Sequence, residues 1–351
     1  VVNVASTGVM TTVKGTLNAD EAVTLDSTLN VTGATALSST LEVGNNTTAS
    51  GTYSTAIGSG STASENTSFA SGNNTTASGT YSTAMGSGST ASGNTSFASG
   101  NNNTASGIYS IAIGTGTNSS ARATTAIGNN TTASSQYAVA IGTGTNASGD
   151  AAIAMGNNTT ASNNYAVALG TGTTAQGNSA FAIGNSTTAS GSQSTAMGDS
   201  TTASAYASTA MGSITTASGN QSTAMGRLTT ASGVNSTAIG EITTAAGRAS
   251  TAMGRYTTAS DYASTVIGQY NSSGSSVTDN ATSFSTSNTA FVIGNGADDS
   301  NKSDAFKVMF NGDTYISSSL YIGGTAITST ASELNYVDGV TSNIQTQINA
   351  I

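Results

Sequence analysis

Glycine recurs at position 44 and at every fourteenth residue thereafter to Gly268, seventeen glycines without one slip of register. Ala stands two residues before most of them, from Ala56 to Ala252. A second small residue follows each by five: Ala49, Ala63, Ala77 and onward, with Ser119 and Ser273 as the exceptions. A disordered chain has no reason to keep phase. A stack of repeats does, because in extended chain one inserted residue sends every later side chain to the wrong face.

Fourteen residues hold two short strands and two turns. "STAMG" and "TTASG" carry β-branched residues in alternation and end on Gly, which suits strands. The repeat is too short, and too rich in Gly, Thr and Asn, for a helical hairpin. The spacing therefore predicts an all-β fold, a parallel β-roll with one coil per repeat. Sixteen coils at ~4.8 Å give a rod roughly 75 Å long.

Alternation assigns the faces. The two Ala columns point into the roll, where only a methyl fits. The residues flanking the first column then point out, as Thr55/Ile57, Phe69/Ser71, Thr83/Met85, Phe97/Ser99, Ile111/Ile113, Val139/Ile141, Ile153/Met155 and Phe181/Ile183. Early in the rod one member of the pair grows to Phe where the other shrinks to Ser, as in a shared, volume-limited space. An exposed stripe this long would aggregate, so it reads as an interface. Closed symmetry makes a three-chain bundle the natural solution, with Ile57, Phe69, Met85, Ile113, Ile141, Met155 and Phe181 on its axis.

Composition restricts the chemistry. Only 7% of the residues are charged and 5% aromatic, with no Cys and no His. That removes thiolate and imidazole chemistry and most transition-metal sites; no cofactor is expected. Net charge is −9 without a basic patch, which argues against nucleic acid. No run approaches the ~18 apolar residues of a membrane helix, so no membrane insertion is expected. Between residues 43 and 240 the acidic residues are Glu65, Asp150 and Asp199, far apart along the rod. Catalysis needs positioned acids, bases or nucleophiles, and the sequence reads as that of a non-enzyme.

The pattern "STAMGxxTTASGxx" over residues 40 to 270 resembles the head repeat of trimeric autotransporter adhesins. The resemblance implies a left-handed parallel β-roll and a homotrimer, each chain packed with two identical chains around an axis. The flanks are similar to bacteriophage tail fibres. Residues 288–316, "NTAFVIGNGADDSNKSDAFKVMFNGDTYI", and 329–351, "STASELNYVDGVTSNIQTQINAI", carry that likeness. So does a twelve-residue repeat near the start, Leu17, Leu29, Leu41 with Leu25, Leu37 and Val31, Val43.

Four segments follow. Residues 1–43 read as a β-rich shaft of twelve-residue repeats and 44–275 as the roll. Residues 276–328 read as a β-hairpin knob or collar with Phe291, Phe306 and Phe310 in its core. Residues 329–351 begin a coiled-coil stalk. There Val337, Val340, Ile344, Ile348 and Ile351 step by three or four, which places Ile344, Ile348 and Ile351 on the trimer axis. The helix is expected to start near Ser332 or Asp338.

Three further features are candidate contacts. Tyr53, Tyr81, Tyr109, Tyr137 and Tyr165 recur every second coil, as a sugar-stacking ladder or as local packing over the next turn. The adjoining turn alternates in step, with Asn at 46, 74, 102, 130 and 158 and Gly at 60, 88, 116, 144 and 172. Both residue types tolerate φ > 0. Beyond residue 198 that turn position becomes Ile214, Leu228, Ile242, Tyr256 and Tyr270, a receptor patch or a subunit contact. Arg227, Glu241 and Arg255 share one repeat position and should stack as a ladder of alternating charge. "DDSNKSD", 298–304, is a possible oxygen site for Ca²⁺ or a solvated loop.

The sequence reads as a structural trimeric fibre on a virion surface, tail-fibre-like, that spaces or presents a receptor-binding tip. The receptor would be a cell-surface glycan or protein. The alternative is a bacterial surface adhesin head, extracellular on the cell. A rival of another class is an ice-binding rod, because Ser or Thr fills the third place after almost every Gly and Thr the fourth.

Overall fold

The computed structural model describes residues 40–336. The twelve-residue repeat up to residue 39 and the heptad-like positions Val337 to Ile351, Ile344, Ile348 and Ile351 among them, lie outside the described residues.

Each fourteen-residue repeat forms one coil with a long strand and a short strand. The long strands, such as Val139–Thr143 and Ile153–Asn157, pair in parallel with the strand fourteen residues on: Val139 lies opposite Ile153, Ala140 opposite Ala154, Ile141 opposite Met155. The short strands, from Thr48–Ala49 to Thr258–Ala259, form a second parallel sheet of sixteen rungs. The first long rung is Leu41–Val43, residues that the sequence reading gave to the preceding segment. Glu42 takes the place of Ala in that rung, and its Oε1 accepts from the Ala49 N–H at 2.6 Å.

Between the sheets lie the two Ala columns. Ala56 to Ala252 on the long strands and Ala63 to Ala259 on the short ones have no exposed surface. Two columns of small polar residues complete the interior. One precedes the long strand (Ser54 to Ser264, with Ala138, Ala152, Ala166 and Ala180 midway), the other precedes the short strand (Ser61, Thr75 and onward). Large side chains would force the sheets apart, so the roll is held by many small burials and by a continuous backbone ladder rather than by a thick core.

Both turns of every coil need one left-handed residue. At the first turn this is position 46 and its equivalents, at the second turn position 53 and its equivalents, all with φ near +55°. The reason is a hydrogen bond along the roll. The left-handed residue aims its N–H at the preceding coil: Gly116 N–H donates to the Asn101 carbonyl, and Tyr109 N–H to that of Asn94. Without that turn a backbone donor at each edge would go unpaired. The repeating Gly that ends the long strand answers a different need. At Gly128, φ is +132° and a Cβ would sit 1.8 Å from the Gly142 carbonyl oxygen; the coils stack too closely there for any side chain.

Beyond the last coil the chain does not form a separate knob. Thr289–Asn295 joins the long-strand sheet as a further parallel rung on Thr265–Gln269, with Val266 beside Val292, both fully buried where Ala stood before. Asp304–Met309 and Thr314–Ile316 then add antiparallel strands. Phe291, Phe306 and Phe310 are only half-buried. Phe291 meets Phe306 edge-on, with ring centroids 6.1 Å apart. The buried centre of this region is polar. Asp261 is fully buried, and its carboxylate accepts from Thr278 N–H at 2.6 Å and Oγ1 at 2.7 Å, and from Thr289 N–H at 2.9 Å and Oγ1 at 2.5 Å. Four donors replace the water lost on burial, and they tie residues 278–289 to the final coil.

A helix of five residues, Ala331–Asn335, starts one residue before the Ser332 expected from sequence. Thr330 caps it in a capping box with Glu333; the bonds from Thr330 hold the Glu333 carboxyl below its ordinary range. Among the described residues no helix is long and apolar enough to cross a membrane.

Candidate interaction surfaces

The outer face of the long-strand sheet carries the apolar stripe. Because Ala at the centre of each long strand points in, its neighbours on either side point out. None of the pairs from Thr55/Ile57 to Thr265/Ile267 is buried within one chain. Met85 and Met155 are 39% exposed, and Ile57, Phe69, Ile113, Ile141 and Phe181 are partly covered by their neighbours along the stripe. In the first rungs adjacent partners compensate in volume, Ile57 beside Ser71 and Ser71 beside Met85; from Ile113 on large residues lie beside large ones.

At one edge of this sheet stand the tyrosines. Tyr53, Tyr81, Tyr109, Tyr137 and Tyr165 are 54–64% exposed, and each is a left-handed residue with φ between +57° and +61°. Two coils separate successive rings, about 9.6 Å, and none of these rings pairs with another aromatic group. Local packing over the next turn therefore leaves more than half of each ring open. A bulky side chain is rare at such φ, and the intervening coils fill the same position with Thr67, Thr95, Ala123, Ala151 and Ser179.

The opposite edge changes character along the roll. Gly and Asn give way to Ser186 and Ser200, then to Ile214, Leu228, Ile242, Tyr256 and Tyr270, all left-handed. Ile214 is 52% exposed. Tyr256 and Tyr270 stack with centroids 4.5 Å apart, and the Arg255 guanidinium lies 4.8 Å from the centre of the Tyr256 ring. Tyr270 is buried under the strands that follow the roll. Burial raises its phenol above the ordinary value, while the Arg255 charge pulls in the other direction.

The charged residues stand in register beside this row. Arg227 lies opposite Glu241, and Glu241 opposite Arg255. Arg227 Nη1 is 2.9 Å from Glu241 Oε1, and Arg255 Nε is 3.5 Å from Oε2. All three are about half exposed, so each pair is worth only ~0–1 kcal/mol.

Two other candidates look different in three dimensions. Asp298 accepts from Ser300 N–H, Asn301 N–H and Asn301 Nδ2, so its carboxylate serves its own turn. The Asn301 side chain, more than the backbone donors, lowers its pKa. Among the described residues no group of three or more acidic side chains could hold a metal ion. Of the two hydroxyl columns, the third place after Gly (Thr75, Thr131 and onward) points into the roll and is buried. Only Thr62, Thr76 and their equivalents face out. Side chains alternate along this stretch, so the residue before the short strand faces the interior with the Ala two residues on, and the paired flat columns expected of an ice-binding face do not form.

The YadA head domain repeat matches the chain in successive segments from residues 43–61 to residues 245–271, more than half of its length. The chain belongs to this family. Its YadA-type repeats are the coils just described, and the match stops just after the long strand Thr265–Gln269, before the strand Thr289–Asn295. A search among curated proteins gives no match.

Proposed function

We propose that the chain is the head of a trimeric adhesin, with a structural and adhesive role at the surface of a bacterial cell. The observation that carries this reading is the apolar stripe. The outer face of the long-strand sheet carries Phe, Ile, Met, Val or Leu in every coil, interspersed with Thr and Ser, and none of these is buried in a single chain. Three copies that turn this face to a common axis remove it from water and leave no free stripe. The edges and the short-strand sheet then meet solvent and partner molecules. The membership in the YadA head repeat family supports both the trimer and the cell surface.

A second reading has support of its own. Residues 288–316 and 329–351, beyond the end of the repeat match, resemble tail-fibre segments. The same trimeric roll would then be a spacer in a virion fibre. Immunogold labelling of intact cells and of purified virions distinguishes the two: gold on the cell envelope supports the adhesin head, gold on the particle the fibre.

The trimer itself is tested on the full chain by sedimentation velocity. Met155→Asp would bring three carboxylates to one axis. Burial of unpaired charge costs several kcal/mol each, so the variant should sediment as a monomer or fail to assemble. A wild-type monomer, or a normal trimer of the variant, would refute the assignment of the axis.

A further inference from the structure

The two edges of the long-strand sheet vary together in size. Seven coils carry an aromatic residue at one of the two left-handed edge positions. In each of the seven the other edge position of that coil is Gly or Ala. Tyr109 faces away from Gly116 in its coil and Tyr137 from Gly144; in the last coils the order reverses, and Ala249 is matched with Tyr256. The Tyr–Gly coils repeat every twenty-eight residues, so a tandem duplication makes them one observation rather than five. The reversal is a second, independent one: where the tyrosine edge shrinks to Ala207 and Ala249, the opposite edge grows to Ile214 and Tyr256, although in the two coils between them Leu228 and Ile242 stand against Gln221 and Asn235.

Nothing within one chain explains this match. The two positions lie at opposite ends of one long strand, about 20 Å apart at roughly 3.3 Å per residue. Their side chains cannot touch. They meet only if the tyrosine edge of one copy lies against the glycine edge of the next, at the same level along the roll. Backbone strain points the same way. Ile214 holds φ of +55°, where β-branched residues are outliers, although Gly, Asn and Ser serve the same turn elsewhere in the roll.

We propose that these two edges form a heterologous seam between copies of this chain, in which the five evenly spaced tyrosines, Ile214 and Tyr256 each enter the notch left by a small residue. The seam rests on the trimeric reading above and adds its register and its contacts. With the apolar face turned inward, the tyrosine edge of each copy meets the glycine edge of its neighbour, and head-to-tail contacts of this kind close into a ring. Knob and notch lie in one coil, so the copies align with no axial offset. The direction of the knob changes between Gly172 and Ile214. Arg227 and Glu241, which flank the Ile214 row, then border the seam instead of facing open solvent. Tyr270 is already covered within its own chain, so the last intermolecular knob is Tyr256.

The chain has no cysteine, which allows a direct test on the full-length protein. Ala207→Cys and Ile214→Cys in one chain, treated with a short bis-maleimide, should give covalent dimers and trimers on a denaturing gel, with a 207–214 linkage found by mass spectrometry. Each single variant should give neither. A trimer in sedimentation without the 207–214 linkage would overturn the seam and leave the trimer standing; a monomer would overturn both. A volume exchange provides a second measurement. Gly116→Tyr places two large groups at one level and should lower the melting temperature of the trimer. Part of the loss comes from the φ of +63° at Gly116 and from Asn130 Oδ1, 2.7 Å from the new Cβ; Tyr109→Ala in the same chain should restore the part due to the seam. A double variant no more stable than Gly116→Tyr alone would overturn the seam.

Discussion

Ala140 tests the interior of the roll most directly. It has no exposed surface and lies between Ala126 and Ala154 in the neighbouring rungs. Ala140→Leu adds three carbon atoms to a space shared by methyl groups on both sheets. Inserted methylenes in a packed core cost about 1–3 kcal/mol, and the figure should lie at the upper end here, because the backbone ladders on both sides prevent the sheets from moving apart locally. For a folded unit of 150–250 residues each kcal/mol shifts Tm by roughly 2–4 °C, so a fall of about 6–12 °C is expected. Differential scanning calorimetry on the full chain reads it. Ser134→Leu is the control: Ser134 is exposed on the same coil, and substitutions of that kind stay within about 0.5 kcal/mol. If Ala140→Leu melts with the wild type while Ser134→Leu does not, the inner and outer faces are reversed and the assignment of the apolar stripe falls with them.

Three other outcomes follow from the geometry. Asp261→Ala should release residues 278–289 from the last coil, since it leaves the Thr278 and Thr289 donors unpaired at about 1–3 kcal/mol for each buried donor; limited proteolysis should cut within 276–287 while the coils persist, and wild-type resistance there would refute the anchoring role. Thr187 Oγ1 is buried and makes no hydrogen bond to the protein, so Thr187→Val should hold or raise Tm, and a clear drop would show that the hydroxyl is satisfied in solution. Asp298 has a folded pKa lowered chiefly by Asn301, so the turn gains stability that is complete above the ordinary carboxylate value and is lost as pH falls through the lowered one. The Asn301 side-chain amide should change its NMR shift below the ordinary range, and a transition at the usual aspartate value would refute the contact.

The roll was legible because strict repetition turns a weak local signal into a strong one. One "STAMG" says little, but a Gly column and two Ala columns in phase determine the strands, the faces and the rung partners. The alternation that buried Ala140 also put Ile141 outside. The ends were less legible. Thr289–Asn295 looks like the first strand of an independent hairpin, because nothing local reveals that "TAFVIG" copies the rung "STVIG" twenty-six residues earlier. Asp261 was missed for a related reason. It occupies a position filled by Gly, Ala or Ser in most other coils, and its four partners lie up to twenty-eight residues away. The hydroxyl columns misled by composition: two adjacent Thr look equivalent in the sequence, yet successive residues of extended chain face opposite ways, so one points in and the other out. At the edges, the Gly–Asn alternation correctly marked left-handed turns, but the same conformation at Tyr53 or Ile214 leaves no trace in a residue type that ordinarily avoids it.

Each coil bonds only to the coil before it and the coil after it. The length of such a rod is therefore heritable in whole units. Unequal crossing-over between two repeats removes or adds fourteen or twenty-eight residues, and the new junction is identical in kind to every other. No distant site has to change in compensation. A lineage can in this way lengthen or shorten the rod in a single recombination event. A point insertion of one residue shifts all coils beyond it out of phase. Selection on this gene should therefore tolerate large deletions and reject small ones.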